Sequence, residues 1–426
     1  MNETTIKYLI IGAGISGLSF ADKIGEDYLI IEKENEVGGY CKTFHQGDFI
    51  WDYAGHFYHF KEEKLMSDFL NNIGEENIIR QQKDTKILYN GSKIHYPFQS
   101  NIHELEKSEF IDCLYDLYKK EEKENYDNFL DMLYGKFGKS IVEKFLKPYN
   151  EKLYACDLHT LDKDAMGRFF PYAKLDDVMN NMKENNDSSY NNQFMYPKQG
   201  AQCFINNIYS RLQPDRIRLG EEIAEINDIE KYVITNKNNK IYYTYLINTS
   251  PLNHFLKLFR NDLYNNLAND LSYNKVLVFN LGFKKGSNHK EHWMYIPDPD
   301  INFYRVGFYN NILLTSKLSM YIEIGFDKNE NIDVEKQLAL TLENLEKLGI
   351  TVDNELEEHN YVIMNPAYVH INNCHIEQIK EIFEDLENNG IYSIGRYGAW
   401  KYCSMEDCIL DATKLSEKLG GNKNEN

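Results

Sequence analysis

The sequence predicts an α/β protein of two interleaved parts: a parallel sheet carrying a glycine-rich nucleotide turn, and a second part of helices plus an antiparallel sheet. Three observations predict it. An apolar run, Tyr8 to Ile11, reads as a buried parallel strand, and Gly12, Gly14 and Gly17 follow it at G-x-G-x-x-G spacing. A second apolar run, Tyr28 to Ile31, ends at Glu32, where a carboxylate can accept hydrogen bonds from a free ribose 2′-hydroxyl. Residues 275–284 and 303–326 alternate like strands of an antiparallel sheet.

The elements follow in order. Gly12 permits the tight turn, Gly14 lets the backbone approach a pyrophosphate, and Gly17 lets the next helix pack on the sheet. That helix starts at Ile15 and Ser16 and offers free N–H groups and a positive dipole end to phosphates. Together with Glu32 this is a Rossmann-type dinucleotide site. After Lys33 come Gly38, Gly39 and Tyr40, where two glycines let backbone lie close to a cofactor. Residues 104 to about 185 are charged and helix-like, with apolar residues at helical period from Phe110 to Tyr118. Lys183 to Asn192 reads as a flexible loop, and Tyr196 to Gly200 introduces a helix over 201–212. Ile217 to Ile226 and Tyr242 to Asn248 read as strands, the latter ending at Thr249-Ser250-Pro251. Ile391 to Arg396 is a short strand running into a loop and a terminal helix over 405–419. Gly420 to Asn426 reads as a disordered tail.

The chain does not divide into consecutive domains. Residues 1–62, 197–260 and 385–426 are expected to form the dinucleotide-binding domain, and 63–196 and 261–384 the substrate domain. Within the latter, 104–185 is mainly helical and 275–330 an antiparallel sheet. No internal repeat is evident.

A chain of 426 residues suffices for two or more structural units. No apolar stretch reaches the ~20 residues of a spanning helix. Glu3 runs straight into a strand, unlike a signal peptide. The seven cysteines are scattered, with no C-x-x-C pair or Cys/His cluster to suggest a metal, and free thiols fit a reducing, cytoplasmic compartment. A net charge of −19 opposes non-specific nucleic-acid binding, but a local arginine cluster can still take an anion.

Glu32 to Cys41 resembles the E-x(5)-G-G extension of FAD-containing oxidoreductases of the amine-oxidase type. Trp51-Asp52-Tyr53-Ala54-Gly55-His56-Phe57 resembles the stretch where those flavoproteins bring the chain back beside the isoalloxazine. The resemblance implies an FAD-binding domain and FAD as cofactor, with His56 and Phe57 near the flavin and Ile223 on the strand that contacts adenine. His56 is also a candidate for tuning flavin protonation.

Four further stretches resemble UDP-galactopyranose mutases. In the first, Tyr149, Tyr154 and Arg168 keep the spacing of an aromatic, a Trp and an Arg, with Tyr in place of the Trp. The resemblance implies that Arg168 sits on a mobile loop and grips the diphosphate of a nucleotide sugar. The second, Phe303-Tyr304-Arg305-Val306, is similar to a Tyr-Thr-Arg strand whose Arg also meets the diphosphate. The third runs from Tyr96 through Asn101 to Leu105 and is similar to a Pro-Phe-x-x-Asn-Leu-His loop beside the substrate. The fourth, Gly395 to Met405, is similar to a closing segment in which Arg396 and Met405 would contact FAD and Tyr402 would hold a phosphate. The implied chemistry is a pyranose/furanose exchange in which reduced FAD attacks the anomeric carbon through N5 and expels the nucleoside diphosphate. Arg168 and Arg305 would stabilise that leaving group, and an external reductant would be needed. A homo-oligomer is possible.

Some residues depart from that pattern. Ser404 stands where the mutases carry Asp, Glu323-Ile324-Gly325 replaces Glu-Tyr-Pro, and no Tyr-Gln-Gly-x-Pro stretch precedes Pro197. Tyr149 to Tyr154, His292 to Pro297 and Gly395 to Trp400 also resemble bacterial proteins similar to protoporphyrinogen oxidase and amine oxidases. The alternative is therefore an FAD-dependent oxidase or dehydrogenase acting on a small organic substrate. Convergence of Arg168 and Arg305 on one pocket would favour a diphosphate, and an aromatic cage without them a neutral or cationic substrate.

Overall fold

The computed structural model describes residues 3–184 and 193–420. It contains two large sheets. The first has seven strands, and its parallel centre is Glu3–Ile11 between Lys240–Asn248 and Tyr28–Ile31. Ile217–Arg218 extends it beside Tyr28–Ile31, and Ile391–Ser393 joins Lys240–Asn248, both in parallel. Tyr232–Thr235 and Ile223–Asn227 add an antiparallel flap.

A parallel sheet must be covered on both faces, and here alternate residues of one strand enter two different cores. Tyr8 and Ile10 pack under the helices Ile15–Ile24, Gln202–Tyr209 and Met405–Lys418. Leu9 and Ile11 pack with Leu252–Phe255, Asp262–Asp270 and Asn373–Asn388 on the other side.

This packing moves the expected domain boundaries. The helix Glu63–Ile73 contributes Phe69, Leu65 and Leu70 to the first of these cores. Asp262–Asp270 and the helix Asn373–Asn388 belong to the second. The dinucleotide-binding half is thus wider than residues 1–62, 197–260 and 385–426, because its outer sheet face needs helices from stretches assigned by sequence to the other half.

The second sheet also has seven strands, ordered Leu356–Met364, Asn274–Phe283, Ser319–Asp327, Arg305–Phe308, Trp293–Tyr295, Thr85–Tyr89, Ser92–His95. The expected strand 303–326 is two strands separated by the short helix Tyr309–Leu313, and Phe303 and Tyr304 precede the first. A helical layer, Lys107–Lys119, Phe129–Ile141 and Lys147–Tyr154, packs around Phe129, Leu133 and Phe137. The helix introduced by Tyr196–Gly200 spans Gln202–Tyr209, and Gln193–Pro197 before it is a strand.

Helix Leu175–Glu184 occupies the start of the loop expected over Lys183–Asn192. The rest of that loop, and the tail after Gly420, lie outside the described residues. Among the described residues, no helix is long and apolar enough to cross a membrane.

Candidate active site

The dinucleotide cradle is built by contacts that exclude side chains. Gly12 has φ +100°, and a Cβ there would stand 2.6 Å from Thr249 Oγ1. At Gly17 a Cβ would come within 2.0 Å of the Gly12 carbonyl oxygen, so the helix lies too close to the turn for any residue but glycine. Gly14 and Gly39 face each other backbone to backbone, a Cβ on Gly39 (φ +58°) being 3.3 Å from the Gly14 Cα. The helix Ile15–Ile24 begins at Gly14 with no side-chain cap, leaving its first N–H groups for a ligand. Glu32 Oε2 accepts the Ala13 N–H at 2.7 Å and Oε1 the Glu34 N–H at 2.9 Å. Each carboxylate oxygen retains another lone pair, and Glu32 lines the adjoining cavity. These features suit an adenine dinucleotide.

The cavity measures about 1230 Å³ and runs from this cradle to the second sheet. Most small-molecule pockets occupy roughly 300–1,000 Å³, so there is room for more than one ligand. Of the residues expected at the cofactor, Gly12, Gly14, Ile15, Ser16, Glu32 and Lys33 line it. So do Gly38, Gly39, Tyr40, His56, Phe57 and Ile223, followed by Arg396 and Met405. Gly17 does not; its contribution is the close packing beneath the turn.

Beyond the cradle the walls are aromatic. Tyr149 meets Tyr295 and Tyr304 edge-on at 5.3 and 6.2 Å, and Tyr368 stacks on Tyr402 at 6.0 Å. Phe57 stacks on Trp293 at 5.0 Å.

Three guanidinium groups line this one cavity: Arg168, Arg305 and Arg396. Arg305 sits directly opposite Glu323 in strand register, and its Nε and Nη2 bind that carboxylate at 2.9 and 2.6 Å. Neither bond uses Nη1. Arg168 lies at the rim with its side chain 44% exposed, and Nη2 donates to both Asp407 oxygens at 2.6 and 2.7 Å. Arg396 has no carboxylate partner among the described residues. Its Nη1 donates to the Cys403 carbonyl at 3.0 Å, and its guanidinium lies 4.5 Å from the Tyr402 ring centroid.

His56 Nδ1 donates to the Ala54 carbonyl at 3.0 Å, which leaves Nε2 as an acceptor. Burial, then the neighbouring Arg396 and Arg305, push its imidazole down to about 4 against the Ala54 bond, so it is neutral at pH 7.

Two expected substrate residues are elsewhere. Asn101 is turned into its own loop, donating to the His95 and Pro97 carbonyls at 3.1 and 2.9 Å, and does not line the cavity. Tyr154 is buried behind the wall against Tyr368 and His370. The helical spacing of five residues from Tyr149 turns Tyr154 to another face.

Sequence reasoning missed Tyr368 and Asp407, and met Tyr295 only within the stretch His292 to Pro297 without giving it a role. Tyr368 carries no local signal. Asp407 had one: Ser404-x-x-Asp407 has the spacing of a capping box, and the box is present.

Comparison with known proteins bears on the fold. A family described as "NAD(P)-binding Rossmann-like domain" matches residues 10–73. UDP-galactopyranose mutase of Mycoplasma pneumoniae is 24% identical over 188 residues, a match spanning 39% of this chain and 45% of that protein. Among solved structures, reduced UDP-galactopyranose mutase superposes with TM-score 0.89 at 21% identity, covering 97% of this chain and 93% of that one. A protein described as a protoporphyrinogen oxidase from Exiguobacterium sp. 255-15 gives 0.75 at 18%, covering 97% and 98%. Putrescine oxidase gives 0.67 at 12%, covering 98% and 99%. The chain thus has the Rossmann-containing, two-part fold that UDP-galactopyranose mutase shares with flavoproteins of the amine-oxidase type.

Proposed function

We propose that this protein is an FAD-dependent enzyme acting on a nucleotide-activated sugar, and that it exchanges pyranose and furanose ring forms. The observation that carries the reading is the presence of Arg168, Arg305 and Arg396 on one cavity continuous with a dinucleotide cradle, in a protein of net charge −19. Bound reduced flavin supplies the nucleophile for the anomeric carbon, and an external reductant maintains it.

The chain's own residues bind and orient. Arg305 offers its Nη1 edge to a phosphate oxygen, while Glu323 fixes the other edge and so aims the guanidinium. Arg168, released from Asp407, closes on the same diphosphate from the rim. Positive charge there stabilises the negative charge that develops as the nucleoside diphosphate departs. Tyr149 and Tyr402 supply ring faces and hydroxyls to the sugar or the phosphates. His56 Nε2 accepts a hydrogen bond and holds no proton of its own at neutral pH. No general base is required.

A second reading, oxidation of a small organic substrate, is favoured by one observation: Arg305 and Arg168 each already have a carboxylate partner. One assay separates the two. Dithionite-reduced enzyme incubated with a panel of nucleotide sugars should yield furanose products. Oxygen consumption without sugar isomerisation would favour the second reading. Arg168→Ala should abolish turnover while leaving bound flavin unchanged, and surviving activity would remove the clamp from the mechanism.

A further inference from the structure

Three of the seven cysteines, Cys41, Cys403 and Cys408, line the cavity. Two of them touch. Cys403 immediately precedes the Ser404 cap of the terminal helix, Cys408 lies inside that helix, and their sulfurs are 3.7 Å apart. Both residues are buried, so only a small reagent entering through the cavity can reach them. Cys41 is not a competitor, because its thiol meets the Met405 thioether at 3.6 Å and burial pushes it well up. Cys408 is the more acidic of the touching pair. The contact with Cys403 and then the Ser16 hydroxyl lower it against desolvation, while that same contact raises Cys403.

We propose that Cys403 and Cys408 are a redox-active dithiol that closes to an intrachain disulfide when a hydroperoxide enters the cavity, and that closure loosens the grip of Arg396 there. The Cys408 thiolate attacks the peroxide, forming an S–O bond as the O–O bond breaks, and the departing oxygen leaves as water or an alcohol. Cys403 then gives up its proton and its sulfur attacks the Cys408 sulfur, expelling the second oxygen as water. The dithiol loses two electrons and the peroxide gains them.

To bond at ~2.0 Å the sulfurs must approach by about 1.7 Å. Cys408 is held by its helix, so the loop residue Cys403 moves. Its carbonyl is the acceptor for Arg396 Nη1, and Tyr402, the next residue back, stacks under the same guanidinium. Only this consequence, read on bound flavin, rests on the proposed function.

The test treats the full-length holoprotein with a small excess of hydrogen peroxide, then alkylates it in denaturant and maps its peptides. The expected result is a Cys403–Cys408 linked peptide, a fall of two in free thiols, and recovery of both with dithiothreitol. Recovery of Cys403 and Cys408 as free thiols, while exposed Cys374 is oxidised, would overturn the dithiol. Cys403→Ser should instead leave Cys408 as a sulfenic acid trapped by dimedone, and the wild-type map decides if that variant misfolds. Flavin retained through gel filtration should drop several-fold in the disulfide form and return on reduction. Equal retention in both forms would sink the coupling to Arg396. A chain that forms the linkage but never binds flavin would support the dithiol and refute the proposed cofactor.

Discussion

Arg305 and Glu323 face each other across two strands, and Glu323 is 1% exposed. Truncating the arginine would strand a buried carboxylate. Arg305→Ala should therefore cost about 3 kcal/mol in urea denaturation, and adding Glu323→Gln should recover much of it. Equal stabilities would mean that the carboxylate is already solvated.

Asp52 poses a related problem. It accepts from Thr43 Oγ1, Tyr196 OH and the Ala201 N–H at 2.6, 2.7 and 3.0 Å, yet burial still raises its carboxyl from 3.8 to about 6. The folded state thus holds an extra proton between those values. That contribution to stability is present below about pH 4 and is lost as pH rises through about 6. The stability of wild type minus Asp52→Asn should fall by about 2 kcal/mol between pH 4 and pH 7. A pH-independent difference would contradict the raised value.

At the scale of the element, the strand–turn–helix at the N-terminus was the most legible part. Its residues interact within one short stretch, so spacing alone encodes the turn. Gly17→Ala tests this directly. The added carbon would lie 2.0 Å from the Gly12 carbonyl, so the helix must shift. Overpacking of this kind costs about 1–3 kcal/mol. Flavin content after gel filtration should fall along with the denaturation midpoint, and unchanged flavin content would place the phosphates elsewhere.

Elements of the second sheet were only partly legible. Residues 275–284 and 303–326 read as strands, and the structure splits the second stretch into Arg305–Phe308 and Ser319–Asp327. Leu356–Met364, Thr85–Tyr89 and Ser92–His95 did not stand out, because each is defined by partners far away in sequence.

At the scale of the whole molecule, the cavity lies between the two sheets and its walls come from both. A ligand filling it joins two cores and binds only the folded chain. FAD at 100 times its dissociation constant should stabilise the protein by about 2.7 kcal/mol. A concentration-dependent rise in melting temperature checks this, and the absence of any rise would end the case for that cofactor.

By itself the sequence determined the α/β class, the glycine turn with Glu32, and which arginines to watch, since all are carried by short-range spacing or by resemblance of contiguous segments. Tertiary structure alone decided that Arg168, Arg305 and Arg396 share one cavity and that Asn101 and Tyr154 stay outside it. It also decided that Asp407 and Glu323 hold two of the three guanidinium groups. Those facts depend on chain segments up to 239 residues apart meeting in space, and no local pattern encodes such a meeting.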